Sequence, residues 1–393
     1  MRYRLFIMAA TICSTHAMAQ DNIETLLQEI EKNNTTLKAL RYDTEAQKSA
    51  NHSENALPDP ELEVGYLWGR PSAIGSRKDF SAKQSFDIPA ITGQRTRQSK
   101  QKDRLADSQY NLQRTALLLQ AKLLCIDLIY YNARIATLNE RIKASRIVAE
   151  GQAKQLSCGD ISQTTYNYTA LNLSVAEAEL KQTESERMEI CRSLTALNGG
   201  FPVTLNINRF TALTLPMSFA QWYDGNNKTT HPQTALARQE METTKGETAL
   251  AKAESLPSFS IGYTGEFTQG EHYQGVAVGV SVPLWRGKRK VAQAKAAQLA
   301  AQERMADNEH QLRAQQEALF YRAQSLHNLA TSLTQALSQS NSTPLLQKAL
   351  QEGEISTAEY FTELEKYYDA ADKALIAERD SQKAYAELHA AEL

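Results

Sequence analysis

Residues 276–290 read Val276-Ala277-Val278-Gly279-Val280-Ser281-Val282-Pro283-Leu284-Trp285-Arg286-Gly287-Lys288-Arg289-Lys290. Valine occupies every second position up to Val282, with small residues between, and this period of two predicts a β-strand. Pro283 cannot donate a hydrogen bond to a sheet, so the strand is expected to end there. After Gly287 the sequence becomes basic and alanine-rich, which predicts the beginning of a long helix. This segment therefore leads the chain out of a sheet and into a helix.

The same transition occurs earlier in the chain, at a constant separation of 194 residues. The segments and residues that match at this separation are Phe86-Asp87-Ile88-Pro89 with Val280-Ser281-Val282-Pro283, Gly93 with Gly287, and Gly159-Asp160-Ile161-Ser162 with Gly353-Glu354-Ile355-Ser356. A constant separation indicates an internal two-fold repeat without net insertion or deletion. The bend between strand and helix is predicted at Pro89 and Gly93 in the first repeat and at Pro283 and Gly287 in the second.

Each repeat is predicted to contain a helix, two strands separated by a loop, a very long helix, a turn and a returning helix. The strands are expected at residues 61–69, 80–88, 258–267 and 275–282. Apolar and polar residues alternate in all four, as they do in a half-buried soluble sheet or in a membrane-spanning strand. Strand lengths of ~9–11 residues and aromatic residues towards the strand ends favour membrane-spanning strands. Because about eight strands are needed to close a barrel, several chains would have to share one.

Heptad repeats characterise the long helices. Apolar residues recur at every seventh position: Leu117, Leu124, Tyr131 and Leu138 in the first repeat, and Leu312, Leu319, Leu326 and Leu333 in the second. This period predicts coiled-coil packing. A helix of about 60 residues is ~90 Å long, which is more than an ordinary globular domain needs. The other helices are expected at residues 21–54, 162–197 and 356–391.

Two glycines mark the turns of the helical hairpins. Gly159 and Gly353 are candidates for the left-handed residue that often ends a helix. Each is followed by an acidic residue, an isoleucine and a serine that can cap the returning helix. The two tips are therefore assigned to Cys158, Gly159, Asp160, Ile161 and Ser162, and to Gly353, Glu354, Ile355 and Ser356.

The chain begins with the features of a secretory signal peptide at residues 1–19. Arg2 and Arg4 precede a short apolar run, and Ala17-Met18-Ala19 fits a cleavage site. The rest of the chain is divided into a first repeat at residues 20–200, a linker at 201–230 and a second repeat at 231–393.

Several classes of protein are excluded by composition and motif content. The formal net charge is −2, or −4 without Arg2 and Arg4, and this near balance argues against a nucleic-acid partner. No stretch of eighteen uninterrupted apolar residues follows the signal peptide, so no transmembrane helix is expected. The histidines show no metal-ligand spacing, and nucleophile, phosphate-binding and dinucleotide-binding motifs are lacking. We therefore expect neither an enzyme nor a bound metal or other cofactor.

Three cysteines follow the signal peptide, too few for a disulfide scaffold. Cys125 precedes the first tip by about as many residues as Cys191 follows it, so the two thiols are expected at nearly the same height on neighbouring helices. This position permits a disulfide in an exported protein, but it also fits two small buried residues. Cys158 is expected to be exposed at the tip.

Together these features resemble the TolC-type outer membrane efflux proteins. The resemblance rests on residues 280–289, on the Leu-Pro pairs before the first and third strands, and on Gly-x-x-Ser at both tips. It covers essentially the whole chain after the signal peptide. It implies a mainly α-helical trimer with a small β part. Four strands per protomer would form a twelve-stranded outer membrane barrel, and twelve helices would continue it as a periplasmic α-barrel.

The resemblance also implies a function and partners. Members provide an exit conduit for substrates that an inner-membrane RND-type pump and a periplasmic adaptor, or membrane fusion protein, pass outward. The conduit of this family narrows at acidic rings near the tips, and Glu359 resembles such a ring position, with Glu363 one turn beyond. A solvated glutamate on a charged helix is the alternative. Residues 84–89 are similar to members that serve heavy-metal pumps, which favours metal cations over drugs or bile salts as substrates.

Two further interpretations stay open at this point. A periplasmic coiled-coil scaffold or adaptor would explain the heptads but would leave the four strands without a role. An outer membrane conduit for type I protein secretion would have the same fold and a different inner-membrane partner.

Overall fold

A computed structural model of the chain describes residues 14–71, 75–227, 231–268, 270–283, 285–340 and 342–393. It divides into two compact units. Unit 1 comprises Met1–Lys38, Arg114–Asn227 and Arg313–Leu393, and unit 2 comprises Ala39–Gln113 and Lys228–Leu312. Each unit takes part of both repeats, so the units and the repeats are different divisions of the same chain. Residues 1–13 of the predicted signal peptide lie outside the described residues.

The chain is mainly α-helical with one small sheet, as predicted. The elements of the first repeat are α1 (Ser14–Asn33), α2 (Thr35–Ser53), β1 (Glu61–Trp68), β2 (Ser76–Phe86), α3 (Pro89–Cys158) and α4 (Gln163–Leu197). The linker contains the short α5 (Phe219–Trp222) and a π-helical turn (Tyr223–Asn227). The second repeat contains α6 (Pro232–Ala253), β3 (Ser258–Thr268), β4 (Glu271–Ser281), α7 (Arg286–Gln339), α8 (Thr343–Gln351) and α9 (Thr357–Leu388).

The sheet of unit 2 is antiparallel, with strand order β1-β2-β3-β4. Its second strand begins four residues earlier than predicted, because the charges at its start are paired across strands. Arg77 Nε donates to Asp79 Oδ1 at 2.7 Å and lies 3.1 Å from Glu266 Oε1 on β3. The last strand also begins earlier than predicted. Gly270, with φ of +97°, allows a tight turn, so the pairing of β3 with β4 extends to Thr268 and Glu271.

A hydrophobic core in unit 1 joins α1, α3, α4 and the linker. Its fully buried members are Ile30, Ala121, Cys125, Leu128 and Leu194. Among the described residues, α3 is the one helix long and apolar enough to span a membrane by length and composition. Its apolar segment supplies the centre of this core, so packing within the protein accounts for that composition.

The predicted helix at residues 21–54 is interrupted at Asn34. The side chain of Asn34 accepts a hydrogen bond from Leu37 N at 2.8 Å, which caps α2, and donates one to Leu197 O at 2.7 Å. Beside it, Gly199 has φ of +66°, and a Cβ there would lie 2.5 Å from Asn33 O. The interruption therefore holds the end of α4 against the start of the chain, and only glycine fits this close approach.

A second interruption divides the long helix of the second repeat. Helix α7 ends at Gln339, and α8 begins at Thr343 with Pro344 in its first turn. Proline lacks an N–H and disfavours helical backbone in the residue before it, so an uninterrupted helix cannot pass this point. The first repeat has no proline within the matching helix α3 beyond its first residue, and that helix is continuous.

The linker after α4 runs as an extended segment over unit 1. Val203 and Leu205 are buried in the core described above. Asn132 Nδ2 on α3 donates to Leu205 O at 2.8 Å and to Ile207 O at 2.9 Å. These hydrogen bonds satisfy two backbone carbonyls of the linker, whose described residues form no backbone hydrogen bonds with a neighbouring strand, and they fix its path.

Candidate functional site: the hairpin tips and the strand-to-helix junctions

The two hairpin turns in unit 1 have the same backbone geometry. Gly159 has φ of +81° and Gly353 has φ of +74°, so both occupy the left-handed region predicted for them. The next N–H in each turn donates back to the outgoing helix, from Asp160 to Gln155 O and from Glu354 to Ala349 O, both at 2.9 Å. These are the bonds of a Schellman motif. The role of these turns in adaptor contact stays a prediction.

Serine caps both returning helices, but with a difference. Ser162 Oγ accepts from Thr165 N at 3.2 Å, and Ser356 Oγ accepts from Glu359 N at 3.2 Å. In the second hairpin the Glu359 carboxylate also accepts from Ser356 N and from Ser356 Oγ, both at 2.8 Å, which completes a capping box. The first hairpin has Thr165 in place of this carboxylate.

The capping box affects the ionisation of Glu359. The backbone N–H of Ser356 and then its hydroxyl lower the pKa of this carboxyl, because both donate to the charged form. Glu359 therefore stays ionised at neutral pH and has a structural role that the sequence analysis did not assign. Glu363, one turn further, is exposed and pairs with Lys366 at 2.8 Å. That the two carboxylates line a pore remains a prediction.

A buried aromatic cluster behind the second tip was missed by the sequence analysis. Tyr360, Phe361 and Leu364 are 2–6% exposed and pack with α8 and with Val148 on α3. The ring of Phe361 lies 6.2 Å from that of Tyr168 on α4. A usable signal existed, because Tyr360 is a large aromatic residue placed only seven residues after the turn.

Polar contacts also join the two hairpins near the tips. Gln152 Nε2 on α3 donates to Thr357 Oγ1 on α9 at 2.6 Å, and Thr169 Oγ1 on α4 donates to Gln152 Oε1 at 2.6 Å. Further from the tips, α3 and α9 are joined by an ion pair and two cation–π contacts: Asp127–Lys383 (2.6 Å), Tyr130–Arg379 (4.7 Å) and Tyr368–Arg141 (4.9 Å). Unit 1 thus holds the hairpins together by paired polar groups as well as by heptads.

The strand-to-helix junctions lie in unit 2. Pro89 is the first residue of α3, and Pro283 lies between β4 and α7. Neither Gly93 nor Gly287 has a positive φ, so their backbone conformation does not demand glycine. At Gly287 a close contact favours glycine, because a Cβ there would lie 2.9 Å from Ser255 Oγ just after α6. No such neighbour is found at Gly93. Their part in a bend stays a prediction.

A chain of four charges links the two junctions, and the sequence analysis missed it. Arg95 Nη1 on α3 donates to Asp87 Oδ2 at 2.8 Å, and its Nη2 lies 3.9 Å from Glu254 Oε1 after α6. Glu254 also pairs with Lys290 on α7. Asp87, Arg95 and Glu254 are each less than one quarter exposed, so these pairs are screened less than ordinary surface pairs.

The cysteines are not joined. Cys125, Cys158 and Cys191 are all free, so the disulfide that the sequence permitted between Cys125 and Cys191 is absent. Cys125 is fully buried and Cys191 packs against the same core, which is the alternative of two small buried residues. Burial raises the pKa of the Cys125 thiol to about 12, because an apolar surrounding disfavours the thiolate.

The sheet separates its side chains by polarity. Leu62, Val64, Val276 and Val278 share one face and are 71–79% exposed, an unusual exposure for a continuous apolar surface. The opposite face carries charged pairs such as Lys83 with Glu61. Among the described residues, β1 and β4 each pair along one edge only.

No arrangement of three or more histidine, cysteine, aspartate or glutamate side chains suited to a metal ion occurs in the described part of the chain.

No family model matches the chain, and no curated protein sequence matches it. Several solved structures do. A membrane protein from Pseudomonas aeruginosa has a TM-score of 0.78 and 13% identity, covering 94% of this chain and 90% of that one. The open-state MtrE outer membrane channel of Neisseria gonorrhoeae has a TM-score of 0.75 and 14% identity, covering 94% and 88%. The outer membrane protein VceC of Vibrio cholerae has a TM-score of 0.71 and 13% identity, covering 96% and 97%. The TolC-type resemblance is thus confirmed at the level of the fold.

Proposed function

We propose that the protein is the outer membrane channel of a tripartite efflux system, with a large periplasmic part. The observation that carries this proposal is the shared fold over 94% of the chain with a protein described as an outer membrane channel. The likeness includes the sheet and both hairpins rather than one local motif.

The sheet supports a membrane location and a homotrimer. Its exposed apolar face would be costly in water and fits lipid, while the charged face fits an aqueous lumen. Because four strands alternate in direction, β1 and β4 are antiparallel, and the β4 edge of one copy can pair with the β1 edge of the next. Three copies supply twelve strands, enough for a closed barrel without free edges.

The partners follow from the architecture of such systems. The tips at Gly159 and Gly353 would contact a periplasmic adaptor, and an inner-membrane RND-type pump would supply the substrate. Heavy-metal cations or drugs are the proposed cargo, with the metal route favoured by residues 84–89. A type I secretion conduit has the same fold and differs in its inner partner. A periplasmic scaffold or adaptor is disfavoured by the exposed apolar sheet face.

Fractionation and conductance together test this proposal. The full chain should be recovered in the outer membrane as a crosslinked trimer, and the purified trimer should form ion-conducting pores in planar bilayers. Crosslinking from Cys158, which is exposed at the first tip, should capture an adaptor and its pump. A monomer in the soluble periplasmic fraction would contradict the channel and favour the scaffold.

Glu359 is proposed to form an acidic ring at the periplasmic end of this channel. Its carboxylate is exposed and held ionised by Ser356, so a three-fold assembly would place three fixed negative charges around one axis. Such a ring favours cations and attracts divalent ions. Glu363 contributes less, because Lys366 partly neutralises it.

Two substitutions separate the charge of Glu359 from its capping role. Glu359→Gln removes the charge but keeps an acceptor for Ser356 N, since glutamine also suits this position of a capping box. We expect Glu359→Gln to lower cation selectivity and divalent block severalfold in single-channel recordings while the melting temperature is unchanged. Glu359→Ala removes both the charge and the acceptor for Ser356 N, so its melting temperature should fall as well as its cation selectivity. Unaltered selectivity in Glu359→Gln would remove this residue from the pore.

A further inference from the structure

The first turns of both long helices in unit 2 are strongly basic. Residues 89–102 of α3 contain four basic residues and residues 286–302 of α7 contain five, with no acidic residue in either segment. Each segment follows a strand with an exposed apolar face. Trp285, directly before α7, is 82% exposed, as expected for a tryptophan at a membrane–water boundary.

Neighbouring helices neutralise only part of this charge. Glu254 forms ion pairs with Arg95 and Lys290, and Glu54 after α2 pairs with Lys102 at 3.0 Å. These pairs account for three of the nine basic residues.

Five exposed basic side chains in these segments make no ion pair with any described residue: Arg97, Lys100, Lys288, Arg289 and Lys295. We call the four that lie nearest the starts of the two helices the basic collar: Arg97, Lys288, Arg289 and Lys295. Lys288 and Lys295 are seven residues apart and share one face of α7. A basic surface without neighbouring acidic partners is either solvated or bound to an anionic partner.

The distance from the strands suggests which partner. Lys288 and Arg289 lie ~3–5 Å along the axis from the start of α7, while Arg97 and Lys295 lie ~12–14 Å along their helices. A bilayer's headgroup layer is about 5–7 Å thick on each side of its hydrocarbon core. If the hydrocarbon core ends where the strands end, Lys288 and Arg289 would lie among the headgroups, and Arg97 and Lys295 would lie within about one or two Debye lengths of them.

We propose that the basic collar binds the anionic phospholipid headgroups of the periplasmic leaflet that surrounds the channel. This inference rests on the proposed function, because it requires the sheet to lie in the outer membrane. Lysine and arginine next to an anionic surface each strengthen binding by about fivefold, whereas a zwitterionic headgroup offers no net charge. The collar would fix the height of the channel in the membrane together with Trp285.

Native mass spectrometry of the detergent-purified full chain tests this assignment. The probes are phosphatidylglycerol and phosphatidylcholine of identical acyl chains, titrated separately, with bound lipid per protomer as the readout. The wild type should prefer phosphatidylglycerol by at least about tenfold, and Lys288→Gln/Arg289→Gln should lose most of this preference. Inorganic phosphate at millimolar concentration should not displace the lipid.

Arg104→Gln is the matched control. Arg104 is also exposed, lies on the same face of α3 as Arg97, seven residues later, and stands ~22 Å along that helix. Its substitution should leave the lipid preference within about twofold. Equal binding of both lipids by the wild type, full retention by the double variant, or displacement by free phosphate would each overturn the assignment. Conductance of the same preparations reports separately on the channel itself.

Discussion

Val276→Lys is expected to prevent assembly into the outer membrane. Val276 lies at the middle of β4, pairs with Tyr263 and is 74% exposed on the apolar face of the sheet. A lysine at the midplane of a bilayer costs ~2–4 kcal/mol in a membrane barrel, and a closed trimer would contain three of them. The measurement is the fraction of protein recovered as outer membrane trimer, which should fall by at least about 30-fold.

Ala277→Lys provides the control for this substitution. Ala277 is the next residue of the same strand and points to the opposite, polar face, where it pairs with Gly262. A lysine there enters an aqueous and partly acidic surface, so trimer recovery should stay within about twofold. Normal assembly of Val276→Lys, or equal loss in both variants, would contradict the assignment of the apolar face to lipid.

Tyr360→Ala is expected to loosen the second hairpin tip. Tyr360 is 2% exposed and belongs to the cluster that packs α8 against α9 and α3. Truncating a buried aromatic side chain of this size costs ~3–5 kcal/mol through lost contacts and the cavity left behind. Limited proteolysis near Gly353 should become at least tenfold faster, because the tip would open more often.

Tyr42→Ala serves as the comparison for Tyr360. Tyr42 on α2 is 68% exposed, so its removal should change stability by no more than about 0.5 kcal/mol. Its proteolysis pattern should match that of the wild type. A tip that stays equally resistant in Tyr360→Ala would show that α8 is held by contacts other than this cluster.

Elements governed by local rules were predictable from the sequence. The left-handed glycines, the serine caps and the four strands each depend on residue type and spacing over a few positions. The repeat strengthened these predictions, because the same signal occurred twice at one separation.

Features that depend on distant partners were not predictable in this way. The interruption at Asn34 exists because its amide reaches Leu197 O, 163 residues away. Likewise, the ion pair between Arg77 on β2 and Glu266 on β3 joins residues that are far apart in the sequence. The four charges from Asp87 to Lys290 form ion pairs in the fold, but their spacing in the sequence follows no motif that would predict these pairs.

The candidate site shows the same division. Glu359 was selected by resemblance, but its spacing of three from Ser356 was also a readable capping box that went unused. The bend at Gly287 stays a prediction, and the close approach of Ser255 to this glycine could come only from the packing of α6 against α7.

The two hairpin turns bear on how partner choice can diverge. The hydrogen bonds that hold each turn use backbone groups, a serine hydroxyl and, in the second turn, the Glu359 carboxylate, while the acidic side chains of Asp160 and Glu354 are exposed. Exchanging these side chains therefore costs little folding free energy. The exposed residues of each repeat can therefore change while the geometry of the turn is preserved. If the tips bind an adaptor as proposed, single exposed substitutions could change that recognition separately in each repeat.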